Sequence, residues 1–177
     1  MAAERSTIET HTQNPNQQKY DWEYYNVLLP HITGSVLDIG SGALMFVKEY
    51  IKKDDVTEVH CFDKFQEQEV PDKVTCTEWV CPEVLPIKEK FDTIVSTEFI
   101  EHIEREQLEP LLEQIVKKMH KDSKFVGSTP NKICPTENPY HLYEYTLPEQ
   151  LEIFKNYFSR IEMFDNGQNC TVWVVQL

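Results

Sequence analysis

Positive charge is scarce in this chain. Its 177 residues carry 17 Lys and Arg against 30 Asp and Glu, a formal net charge of −13, and a surface of that sign repels a phosphate backbone at long range. Nucleic-acid binding would need a local basic patch. The candidates, Lys52-Lys53 and Lys117-Lys118, each close an expected helix, where lysines complement the helix dipole, and neither pair is interleaved with aromatics. A C-x-x-C pair is also missing: five cysteines, Cys61, Cys76, Cys81, Cys134 and Cys170, fit neither a zinc knuckle nor a disulfide framework and read as reduced thiols. No apolar run approaches the roughly 18 residues of a membrane span, and the N-terminus has no basic region followed by an apolar core. The expectation is a cytoplasmic chain without a membrane partner. The absence of G-x-G-x-x-G removes the dinucleotide-binding fingerprint and counts against a nicotinamide-dependent dehydrogenase.

The length suits one domain with its own core. Residues 1–18 are polar and aperiodic and read as a mobile leader, leaving a single domain over 19–177. Order is expected from Tyr20, where Tyr20-Asp21-Trp22-Glu23-Tyr24-Tyr25 leads into a helix ended or kinked by Pro30. Its aromatics either cap one side of a sheet or fold over a ligand.

What the chain does have is Val36-Leu37-Asp38-Ile39-Gly40-Ser41-Gly42, an apolar run that ends in two glycines. Val36 to Ile39 read as a buried strand and Ala43 to Lys53 as a helix, so the glycines fall where a strand turns into a helix. Without a Cβ the backbone there can approach a ligand, and free N–H groups at the helix start face it. The next strand, Val59-His60-Cys61-Phe62, ends in Asp63, twenty-five residues after Asp38. An acid at that tip can accept from both hydroxyls of a ribose.

Further strands are expected at Val74 to Trp79, Phe91 to Ser96, Phe125 to Thr129, Ile161 to Phe164 and Thr171 to Gln176. Leu108, Leu111, Leu112, Ile115, Val116 and Met119 form one face of a helix with Pro110 near its first turn. Thr146-Leu147-Pro148-Glu149 is a capping box opening a helix whose buried face is Leu151, Phe154, Tyr157 and Phe158. Pro130 to Tyr145 is a loop long enough to suggest function. The pattern predicts an α/β sandwich on a seven-stranded, mostly parallel sheet, the last two strands forming an antiparallel hairpin at Asn166-Gly167.

Asp38-x-Gly40-x-Gly42, Asp63 and Leu85-Pro86 before the fourth strand resemble class I S-adenosylmethionine-dependent methyltransferases, from about Tyr20 to the C-terminus. The resemblance implies a Rossmann-like fold and S-adenosylmethionine as cofactor, held by Asp38, Gly40, Ser41, Gly42, Asp63, Lys64, Cys81 and Ser96. Two positions depart from it. The third glycine of D-x-G-x-G-x-G is Leu44, expected inside the helix, and Cys81 stands where an acid accepts from the adenine amino group. These departures leave open a cofactor-binding partner subunit without turnover.

Glu98, Glu101 and His102 stand at i, i+3 and i+4 after the fourth strand, on one face of a helical turn. Two carboxylates and an imidazole suit Mg²⁺, Mn²⁺ or Zn²⁺, and His141, in the loop after the fifth strand, can reach the same rim. The alternative is a metal-free rim in which His102 or His141 acts as base. The order E-x-x-E-H, Ser128-Thr129-Pro130-Asn131, then His141 before Glu144-Tyr145-Thr146 resembles Hen-type RNA 3′-terminal 2′-O-methyltransferases. That resemblance implies a divalent metal on Glu98, Glu101, His102 and His141, with Glu98, His102 and His141 in catalysis. Ubiquinone-pathway and sugar O-methyltransferases carry similar segments. The expected function is therefore O-methylation of a small-molecule or sugar hydroxyl, with an RNA 3′ terminus as the alternative acceptor.

Overall fold

The computed structural model describes residues 25–65, 69–132, 138–166 and 170–177. The leader over 1–18, the aromatic residues at 20–24, Cys134 and the turn at Gly167 lie outside the described residues. Seven strands form one sheet: β1 Gly34–Ile39, β2 Val56–Asp63, β3 Val74–Glu78, β4 Phe91–Thr97, β5 Met119–Pro130, β6 Arg160–Asp165 and β7 Cys170–Gln176. The order is β3-β2-β1-β4-β5-β7-β6. β1 to β5 pair in parallel, and β7 is antiparallel to both β5 and β6, as expected from the sequence.

Parallel strands are covered on both faces, and side chains alternate between the two. Leu37, Ile39, Ile94, Phe125, Trp173 and Val175 point to one face, where they meet Leu108, Leu111, Leu112 and Ile115 of one helix together with Phe154 and Phe158. The helix carrying those four residues spans Leu108–Lys117, and Phe154 ends a second helix at Leu147–Phe154. Each fully buried leucine or isoleucine contributes roughly 1.5–3 kcal/mol. Val36, Val59, Cys61, Val95, Val126, Val172 and Val174 point to the other face, under Tyr25, Leu28, Phe46, Val47 and Tyr50. The Tyr25 ring stacks on Phe46 with centroids 4.0 Å apart, so this aromatic covers the sheet. The capping box forms as expected: Thr146 Oγ1 accepts from Glu149 N, and Glu149 Oε2 accepts from Thr146 N at 2.9 Å.

Two elements differ from the sequence reading. The helix expected over Ala43 to Lys53 is regular only at Val47–Tyr50. Gly40, Gly42 and Leu44 have φ of 78°, 52° and 59°, so Leu44 is in the left-handed region before the helix rather than inside it. The first i→i−4 bond therefore runs from Lys48 N to Leu44 O. β5 begins at Met119, six residues before Phe125. Its polar lead-in is held by Ser123, whose hydroxyl accepts from His120 N and donates to Phe91 O, both at 2.6 Å.

Candidate active site

The sheet order reverses between β1 and β4, and ligands of such folds bind outside the carboxyl ends of the strands at that point. The glycine turn stands there. A Cβ on Gly40 would lie 2.3 Å from the Phe99 ring, so this glycine makes room for a side chain of the chain itself. A Cβ on Gly42 would meet nothing within 4 Å among the described residues, and this second glycine is the one open to a ligand. Gly42 N donates to Asp63 Oδ2 at 2.9 Å, which ties the turn to the tip of β2; the other Asp63 oxygen accepts from Phe65 N.

Asp38 is 2 % exposed beneath the turn. Its Oδ2 accepts from the Tyr50 hydroxyl at 2.7 Å, while Oδ1 has no partner among the described residues. Burial pushes its pKa up to about 7, with the Asp63 charge adding and the Tyr50 bond opposing. The Ser41 carbonyl accepts from Leu44 N, and Ser96 is fully buried with its hydroxyl unpartnered among the described residues. Lys64 lies over the Phe65 ring, 5.1 Å from its centroid. Cys81 packs against the cluster containing Trp79 and Leu85, and burial pushes its thiol up to about 11. It is therefore neutral at pH 7 and does not replace the charge of a carboxylate.

The second constellation lies at the ends of β4 and β5. Glu98 has φ of 50°, and the 3-10 turn begins only at Ile100, so the three residues do not share a regular helical face. Glu98 Oε1 accepts from the Ser128 hydroxyl at 2.9 Å and from Cys170 Sγ. Glu101, His102 and His141 do converge, with one ligand atom of each within 4.8 Å of the others. Glu98 stands outside this group of three.

Glu101 is fully buried; Oε2 accepts from Thr129 Oγ1 at 2.9 Å, and Oε1 has no hydrogen-bond partner among the described residues. Burial, reinforced by the Glu98 charge, raises its pKa well above the usual carboxylate range. His102 Nδ1 lies 3.0 Å from the Tyr140 carbonyl, which can only accept, so the ring carries its proton there and leaves Nε2 bare. Burial lowers the His102 pKa, and His141 and Lys64 lower it further. His102 Nε2 and Glu101 Oε1 face each other at 3.8 Å, two acceptors when Glu101 is ionised and an acceptor opposite an O–H when it is protonated. The His102 and His141 rings meet edge to face at 4.8 Å. Backbone donors from Leu142 and Tyr143 to Glu101 O hold the His141 loop against the turn.

These donors fit a divalent cation: a carboxylate and two imidazoles are usual ligands, and ligand atoms about 2.1 Å from one ion lie roughly 3–4 Å apart. The present spread needs only a small contraction. The fit to an adenosyl cofactor rests on the open face of Gly42 and the Asp63 carboxylate beside it. Glu144, Tyr50 and Phe99 carry parts of the site that the sequence reading did not assign. The i, i+3 spacing of His141 and Glu144 was the available signal for the first.

The methyltransferase-domain family matches residues 13–163 of the chain. The chain belongs to the class I S-adenosylmethionine-dependent methyltransferases. No curated protein sequence matches this methyltransferase. Among solved structures it is similar to DhpI in complex with S-adenosylhomocysteine, at 11% identity and a TM-score of 0.75, over 95% of this chain and 89% of that one. The methyltransferase domain of bacterial CtHen1-C gives 17% identity and a TM-score of 0.68, over 93% of this chain and 99% of that one. The N-methyltransferase NodS from Bradyrhizobium japonicum, with S-adenosylhomocysteine, gives 13% and 0.68, over 94% and 90%. At these identities the likeness is one of fold.

Proposed function

We propose that this methyltransferase transfers the methyl group of S-adenosylmethionine to a hydroxyl of a small molecule or sugar, beside a divalent cation held by Glu101, His102 and His141. The observation that carries the reading is the fully buried, unpartnered Glu101 oxygen facing a bare His102 nitrogen. Burial favours a proton on Glu101 in the free protein, and a cation that displaces this proton takes the carboxylate and the bare imidazole nitrogen as ligands together. Such an ion, when bound, lowers the pKa of a hydroxyl and fixes its direction. The cofactor supplies an activated methyl group.

The chain's own residues do the rest. Asp63 accepts from ribose hydroxyls, Gly42 admits the ligand, and Asp38 and Ser41 shape the floor of the turn. Lys64, Cys81 and Ser96 complete the proposed cofactor set. With a cation bound, His102 Nε2 would be a ligand and the polarised hydroxyl would lose its proton to solvent; without one, His102, neutral near pH 7 because burial lowers its pKa, takes that proton through Nε2. Glu98, fixed by Ser128, acts on the group through its charge on Glu101.

A second reading, methylation of the terminal ribose of an RNA, is supported by the order of Glu98, Glu101, His102 and His141 and by the likeness to CtHen1-C. The test is an acceptor panel of sugars, catechols and short RNAs, run with chelator and with added Mg²⁺ or Mn²⁺. Turnover should vanish with chelator and return with metal, and His102→Ala and His141→Ala should lose turnover while keeping S-adenosylhomocysteine affinity. Chelator-resistant turnover overturns the metal and leaves His102 as base. Cofactor binding with every acceptor class unmodified favours the partner-subunit reading.

A further inference from the structure

The His141 ring is held at both nitrogens, by contacts whose donor and acceptor roles determine one another. Asn138 Oδ1 accepts from Tyr140 N at 3.0 Å, which fixes the orientation of the Asn138 amide. Its other end, Nδ2, is therefore the group 3.0 Å from His141 Nε2. An amide nitrogen can only donate, so Nε2 accepts and carries no proton. The ring proton is then on Nδ1, which lies 2.6 Å from Glu144 Oε1. Both side chains are more than nine-tenths buried, at 9 % and 8 % exposure, so little water competes for this bond.

We propose that Glu144 is a positioning residue: it fixes His141 as the Nδ1–H tautomer, with bare Nε2 available to the Glu101 and His102 group. The Asn138 amide holds that nitrogen in the absence of a cation and yields it when one binds. The same short segment supplies the Tyr140 carbonyl that sets the His102 tautomer, so both imidazoles are oriented by groups behind them. Outer partners of this kind raise ligand basicity, and their loss costs about 10–100-fold in metal affinity. The role of Glu144 in metal binding rests on the proposed function above, whereas the tautomer does not.

The test reads both. In metal-free protein labelled with ¹⁵N-histidine, the His141 signals are identified by their loss in His141→Gln, and long-range ¹H–¹⁵N spectra report which nitrogen is protonated. Wild type should show Nδ1–H. Glu144→Ala should move the proton to Nε2 or mix the two forms, and Glu144→Gln, which keeps an acceptor oxygen, should retain Nδ1–H. Mn²⁺ affinity should fall about 10–100-fold in Glu144→Ala and only a few-fold in Glu144→Gln, with S-adenosylhomocysteine affinity unchanged in both. Nε2–H in wild type overturns the proposal without any variant, as does an unaltered tautomer in Glu144→Ala. Wild type that binds no Mn²⁺ removes the metal reading, and the tautomer comparison still decides Glu144.

Discussion

Asp38 shows how much of this site depends on burial. Its carboxyl group favours the protonated form in the folded chain up to about pH 7, against an ordinary 3.8, because desolvation penalises the charge. Its contribution to stability is therefore intact below about pH 4 and lost as pH rises through 7. Asp38→Asn keeps an oxygen to accept from Tyr50 and has no charge to desolvate. Relative to wild type it should gain stability on the order of 3–4 kcal/mol between pH 4 and 8. Denaturant titrations of both proteins across that range check this, and parallel stability curves would refute it. Asp38 was legible in the sequence as part of a cofactor motif, but its burial and its bond to Tyr50 were not, since the tyrosine arrives from the following helix. Glu98 was misplaced for a local reason. The expected helical turn assumed ordinary backbone angles, and a glutamate with φ of 50° is not signalled by residue type.

At the scale of elements, strands were the most readable feature, because apolar runs bounded by turn residues leave few alternatives. The polar start of β5 was missed since His120, Lys121 and Asp122 face solvent and carry no apolar alternation. The helix after the glycine turn was overestimated because Leu44 reads as a good helix former. Its left-handed backbone costs roughly 1–2 kcal/mol, and a glycine would relieve it. The side chain, however, is fully buried among Tyr25, Val36, Phe46 and Tyr50, where deleting a leucine costs about 2–5 kcal/mol. Packing therefore wins over backbone strain. Leu44→Gly, although it restores the family's glycine, should lower unfolding free energy by about 1–3 kcal/mol. A variant as stable as wild type in urea would show that the strain fully offsets the packing, and a more stable one that the strain dominates. The departure at this position thus strengthens the core without placing a side chain over Gly42.

For the whole molecule the net charge of −13 bears on the acceptor. The cations near the rim are already engaged: Arg105 and Lys132 lie 5.0 and 4.6 Å from the Tyr143 ring, and the Tyr143 hydroxyl donates to Glu149 at 3.0 Å. Both cations gather on one aromatic ring, and among the described residues this pair does not form a stripe along which several phosphates could run. No helix of the described residues is long and apolar enough to cross a membrane. A substrate held through six to ten phosphates loses about 10³–10⁵ in affinity between roughly 50 and 200 mM salt, as counterion release becomes less favourable. An uncharged hydroxyl compound has no such term. Initial rates at fixed cofactor and Mn²⁺ should therefore give an acceptor KM that changes less than about threefold over that range. A steep rise of KM with salt would instead reverse the choice between the two acceptor classes, because it requires several phosphate contacts. The terminal ribose reading would then stand, with binding through a surface that overcomes the chain's overall negative field.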